Sequence, residues 1–331
     1  MSAKPKVAVI GTGGTISSMG RGPLDLIDYG AAGLVLDVHA VLARVPELAL
    51  VADVLPVPFK AIPSTALGPS EWLELVRICD RLSAEHPDLA GIVVTHGTAS
   101  LEETAYFLSL TLKIPQPVVV VGAQRPASAL AGDGPMNLVN ACRVAADPRA
   151  RGLGALVLLN DEIQAAREVT KTSTLRMQTF RTPDFGALGH ADADAIAWYR
   201  RPLRRIAPDT EFDVRGMVTL PRVDIAYGYA GADGAAIEAF VAAGAKGIVT
   251  AGFAPGYVTP AMSAAMAEAV KKGIAVVLSS RAGSGRVGRT TKNAALGFVT
   301  ADNLTPQKAR VLTMLALAHG MTDLERVFAE Y

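Results

Sequence analysis

Short apolar runs that recur between helical patterns are the strongest constraint on this chain. Residues 7–10, 89–94, 118–121 and 155–159 are too short for helices and too uniformly apolar for strands with one wet face. They read as strands buried on both sides. A further strand and its exit are expected over residues 48–58. Helical patterns lie between these runs. Asp37 caps a helix through Ala43. Trp72, Leu75, Val76, Cys79 and Leu82 recur at helical spacing. Ser100 with Glu103 three positions later has the form of a capping box, and residues 135–146 form another helix. Strands separated by helices at this spacing predict an α/β fold, a doubly wound and mainly parallel sheet with right-handed crossovers. In such a sheet ligands meet the carboxyl edge, so the turns that follow the strands carry the chemistry.

Two of those turns stand out. After residues 7–10 comes Gly11-Thr12-Gly13-Gly14-Thr15-Ile16-Ser17, in which glycines permit a sharp bend and close approach while threonines supply hydroxyls. A dinucleotide fingerprint would need glycine where Ile16 stands, and no acidic residue follows the candidate strand at 48–54 where a ribose would need one. The second turn, Thr95-His96-Gly97-Thr98-Ala99, lies between a strand and a helix N-terminus. A threonine hydroxyl attacks a carbonyl only with a positioned base and with donors for the developing charge. Thr15 and Thr98 are the candidates for that role. His96 reads as orienting or packed rather than as the base.

Several spaced motifs, taken together, resemble the bacterial-type asparaginase/glutaminase family over almost the whole chain. They are Thr12 to Ile16, Thr95 to Thr98, Glu102 to Leu108, Val121 to Pro126, Asp133 to Leu138, Val169 to Thr172 and Asn303 to Arg310. The resemblance implies a primary amidohydrolase with Thr15 as nucleophile, aided by Tyr29 on a mobile loop spanning residues 19–33. It pairs Thr98 with Lys171 beneath the substrate, has Ser64 and its neighbour Thr65 near the substrate carboxylate, and has the backbone of Ala123 hold the amide. No metal and no cofactor is implied. It further implies a homodimer or homotetramer whose sites are completed across an interface.

The chain departs from the family pattern where that pattern binds an α-ammonium. Ala99 stands where the family has aspartate, Thr65 and Ala66 replace glutamine and aspartate, and the stretches at 254–257 and 285–293 stand where the family contributes an asparagine and a glutamate, with no carboxylate in the second. The expectation is an asparaginase-type enzyme with altered specificity. Asparaginase proper with weak activity and a non-catalytic small-molecule-binding homologue are the alternatives. Without an aspartate at position 99, Lys171 is expected to lose an anion and titrate lower. Arg286, Arg289 and Lys292 are either solvated or paired with an anionic group.

A chain of 331 residues suits two domains. The expected division is a catalytic domain over 1–199, an Arg- and Pro-rich linker over 200–215 with Arg200, Arg201, Arg204 and Arg205 solvated, and a smaller α/β domain over 216–331. In that last part, strands are expected at 217–220, 247–251 and 274–279, and helices begin at Thr259-Pro260 and Thr305-Pro306. A net charge of +1 argues against nucleic-acid or acidic-membrane surfaces, leaving a small-molecule amide and other copies of the chain as partners. Cys79 and Cys142 read as reduced core residues. With no apolar run long enough to cross a bilayer and a first strand close behind Met1, a cytoplasmic protein is expected.

Overall fold

The computed structural model describes residues 3–331. The chain divides into two compact units, one ending at Gly216 and the second running over Met217–Tyr331. The first is built on an eight-stranded sheet. Its five parallel strands are, in spatial order, Ala155–Leu159, Val118–Val121, Leu89–Thr95, Lys6–Gly11 and Asp53–Pro58. Three antiparallel strands, Glu162–Ala165, Gly189–Ala191 and Ile196–Trp198, extend the Ala155–Leu159 edge. Val7 to Ile10, Ile92 to Val94 and Val118 to Val121 are all buried, as strands covered by helices on both faces must be.

Close packing of helix on sheet is set by one glycine. A side chain at Gly91 would place its Cβ 2.0 Å from the carbonyl oxygen of Ala145, near the end of helix Gly134–Ala145. Only a bare Cα lets that helix lie this near the strand. The second unit repeats the plan on a smaller scale, with four parallel strands in chain order, Val223–Tyr227, Gly247–Gly252, Ala275–Ser280 and Val299–Thr300. Thr259 caps the helix Pro260–Lys271 by accepting from the Met262 N–H.

Four local expectations are corrected. Residues 48–51 form a helical turn, and the strand begins at Asp53. Val45, Leu48 and Ala52 are buried while Leu50 is 76% exposed, which is helical spacing rather than alternation. The strand expected at 217–220 is absent. Val218 is 82% exposed, and the strand lies at Val223–Tyr227, beyond Pro221, which has no N–H to give a ladder. The polar loop expected at 160–178 contains the hairpin strand Glu162–Ala165, because Asn160 and Asp161 both take the left-handed conformation that a two-residue hairpin turn requires. Finally, residues 200–215 are not a free linker. They fall within the first unit, where Phe212 and Val214 are buried and the Lys113 ammonium donates to the carbonyls of Pro208 and Thr210. Arg200 pairs with Glu168 and Arg205 with Glu211.

Both cysteines are buried and free, and burial pushes each thiol up to about 12. No helix among the described residues is long and apolar enough to cross a membrane.

Gly91→Ala drives a methyl into the Ala145 carbonyl and is expected to cost about 1–3 kcal/mol. A urea titration should show the midpoint falling with little change in slope; an unchanged midpoint would mean that the helix can retreat without loss.

Candidate active site

The two threonine turns meet backbone to backbone. Gly14, at φ 84°, lies so near Gly97 that a Cβ on it would sit 2.3 Å from the Gly97 Cα, and Gly97 in turn is packed against the hydroxyl of Ser64. Thr12 fastens the same junction, its hydroxyl donating to the Thr95 carbonyl at 2.7 Å. These contacts bring the ends of strands Lys6–Gly11 and Leu89–Thr95 and the turn at Ser64–Ala66 to one edge of the sheet.

Each threonine hydroxyl meets a polar side chain. Thr15 Oγ1 and the Tyr29 hydroxyl are 2.8 Å apart. Tyr29 rides on the short helical turn Asp28–Ala32 inside a flap whose base is the antiparallel pair Ser18–Met19 and Leu34–Val35. Thr98 is buried and accepts from the Lys171 ammonium at 2.8 Å. Lys171 comes from strand Thr170–Lys171, well along the chain from Thr98.

Ser100 starts helix Leu101–Thr111 but does not cap it with its side chain. Its hydroxyl instead donates to the Ser64 carbonyl at 2.6 Å, tying the carboxylate-side turn to the Thr98 turn. Ala123 is buried just past strand Val118–Val121. The loop after it is fixed by Asp133, whose carboxylate accepts the N–H groups of Gln124 and Arg125, and by Asn137, which donates to the Gly122 carbonyl. Thr65 and Ala99 are both exposed.

Two electrostatic features matter. Burial holds Lys171 below the ordinary lysine range, and the carboxylate of Glu102 opposes that effect. The expectation that Lys171 has lost its anion is therefore corrected. Glu102 occupies the first turn of helix Leu101–Thr111, one helical turn beyond Thr98, and is itself buried. Its position after Thr98 and before an apolar helix was the available signal.

His96 is fully buried, and its Nδ1–H donates to the Gly97 carbonyl at 2.7 Å. Burial lowers its pKa to about 4, so the ring is neutral at pH 7 and shapes the turn. Among the described residues no group of His, Cys, Asp and Glu is arranged to hold a metal ion. In the second unit Arg286 is paired with Asp302 and Arg289 with Glu325, so these cations are engaged within their own unit.

Residues 6–204 match the family described as asparaginase, N-terminal, and residues 222–328 match the glutaminase/asparaginase C-terminal domain. The chain belongs to the asparaginase/glutaminase family. It is 41% identical over 329 residues to L-asparaginase 2 of Bacillus subtilis, covering 99% of this chain and 87% of that protein. It is 39% identical to the glutaminase-asparaginase of Pseudomonas fluorescens biotype A, covering 98% and 90%. The crystal structure of a probable cytoplasmic L-asparaginase from Campylobacter jejuni aligns with a TM-score of 0.94 at 37% identity, covering 99% of this chain and all of that one.

A neutral, desolvated His96 has a consequence for stability. Its folded pKa of about 4 lies below the unfolded value of about 6.5, so only the unfolded chain gains a proton between them. Unfolding free energy is expected to fall by about 3 kcal/mol as pH drops through that window. Urea titrations at stepped pH should show this slope for the native chain and not for His96→Asn; equal slopes would mean the ring is protonated in the fold.

Proposed function

We propose that this protein is a threonine-dependent amidohydrolase that cleaves a primary carboxamide to a carboxylic acid and ammonia, and that its substrate is recognised without an α-ammonium group. The observation that carries this reading is the pair of hydroxyl clusters at one sheet edge. Thr15 with Tyr29 forms one, and Thr98 with Lys171 the other.

In this reading Thr15 Oγ1 attacks the amide carbon as its proton leaves through the Tyr29 hydroxyl. A carbon–oxygen bond forms and the carbon–nitrogen bond breaks, and the proton finishes on the departing ammonia. Water then adds to the acyl carbon, releasing the acid and returning a proton to Thr15. Lys171, held below its usual range by burial, takes and returns a proton next to Thr98. Glu102 limits that lowering, a role for which the motif's aspartate at position 99 is missing.

The specificity half of the proposal rests on Ala99. Its methyl offers nothing to a cation, and Glu102 is buried and acts on Lys171. An α-ammonium drawn into the site would lose its water without gaining a counter-ion. Ser64 and the backbone around it remain suited to a carboxylate. The substrate class is thus a des-amino amide acid, with asparagine and glutamine poorer. The family's usual assembly supports a homodimer or homotetramer, and the cytoplasmic name of the Campylobacter jejuni neighbour supports a cytoplasmic location.

Ammonia release from asparagine, glutamine and succinamate tests both halves. Succinamate is expected to exceed asparagine in kcat/KM by roughly tenfold or more, and Thr15→Ala to lower kcat by about 10³-fold. Asparagine turnover equal to that of succinamate would overturn the specificity claim. Undiminished activity in Thr15→Ala would overturn the mechanism.

A further inference from the structure

Against Ile16, next to Thr15, lies a cleft of about 540 Å³, counted with its open mouth. Its floor is apolar, made by the buried side chains of Ile16, Val41, Val45 and Leu138. Its lining includes Arg44 and Arg125 and no acidic side chain. Arg44 donates to the Ala127 carbonyl at 2.9 Å and Arg125 to the Ala131 carbonyl at 2.8 Å. Neither is paired with a carboxylate among the described residues. A guanidinium has five N–H donors, so one such bond leaves each with a face available for an anion. Apolar floor and cationic side chains together fit a small molecule with one charged end.

The walls of this cleft are also the supports of the catalytic edge. Ile16 follows Thr15 directly. Gly134 is packed against Ile16 and Ala123, so that a Cβ on it would lie 3.2 and 3.5 Å from their side chains. The loop from Arg125 to Gly134 is laced to the strand and loop that lead into the flap. Ala127 N–H donates to the Ser18 carbonyl at 2.8 Å, Leu130 N–H to the Pro23 carbonyl at 2.9 Å, and the Gly20 N–H to the Ser128 hydroxyl at 2.8 Å. Whatever fixes that loop also fixes the root of the flap that carries Tyr29.

We propose that this cleft is a regulatory site for a small monoanion with an apolar body, of the class of short-chain monocarboxylates, and that its occupancy sets the position of the Tyr29 flap. The binding half stands on the cleft alone. The effect on turnover rests on the amidohydrolase reading given above.

Calorimetric titration of the intact protein with hexanoate, with acetate and hexanol as controls, tests binding. Hexanoate is expected to saturate one site per chain at least tenfold more tightly than either control. Binding should weaken at least tenfold in Arg44→Gln/Arg125→Gln. It should weaken likewise in Ala129→Trp, which fills the cleft from its lip and leaves both arginines in place. Ser64→Ala should keep it, because the carboxylate turn of the catalytic edge is a different place. Absence of saturable binding, binding indifferent to both cleft variants, or loss confined to Ser64→Ala would each overturn the site. Succinamate turnover, followed in parallel, should change saturably with hexanoate in the native chain and not in Ala129→Trp. Binding with no change in turnover would overturn the link to the flap. If no amide is hydrolysed at all, calorimetry still decides the site, so the two readings fail separately.

Discussion

A close meeting of two backbones, Gly14 against Gly97, governs the catalytic edge. Side chains at either position would push the turns apart, because the space a methyl needs is already filled by peptide or by Ser64. Two strands that are hydrogen-bonded neighbours, Lys6–Gly11 and Leu89–Thr95, thereby end at one point with their threonines on it. The parallel register of the sheet makes this possible, and the glycines allow the last few ångströms of approach. Thr12, Ser100 and Asn137 spend their polar groups on backbone carbonyls of neighbouring turns, so the edge is a set of loops pinned to each other rather than to solvent.

The division of labour between rigid and movable parts follows from this. Thr98, His96 and Ala123 are buried and belong to turns fixed at both ends. Tyr29 belongs to a flap based on a two-residue ribbon, with Leu24 and Ile27 largely exposed. In the proposed reading this flap brings the Tyr29 hydroxyl over a substrate and withdraws it to release the product, while the groups beneath stay in place. Lys171 illustrates how the buried side is tuned. Desolvation favours its neutral form, Glu102 favours the charged form, and desolvation is the larger of the two.

Much of this was legible in the residues, for identifiable reasons. Strands buried on both faces announce themselves as apolar runs, so residues 7–10, 118–121 and 155–159 are found where expected. Motif resemblance named Thr15, Tyr29, Thr98 and Lys171, and the fold pairs them at hydrogen-bond distance. What failed was local. Residues 48–51 are apolar enough for a strand, yet their burial has helical period, and within 217–220 Val218 stays in solvent while Met217 and Leu220 are only partly covered. Ser100 looked like a helix cap, but its hydroxyl found a better partner in the Ser64 carbonyl across the fold, a contact no sequence pattern encodes. Glu102 was visible within a motif, while its influence on Lys171 depends on where a distant strand returns.

The proposed substrate lies between Thr15 and Thr98, with its carboxylate at Ser64 and no counter-ion at position 99. A crystal of the protein soaked with succinate and, separately, with aspartate tests this most directly. Succinate is expected to lie between the two threonine hydroxyls with one carboxylate against the Ser64 turn, and aspartate to be absent or weak under the same conditions. Aspartate bound as fully as succinate, with its ammonium held by a carboxylate from elsewhere in the protein, would contradict it.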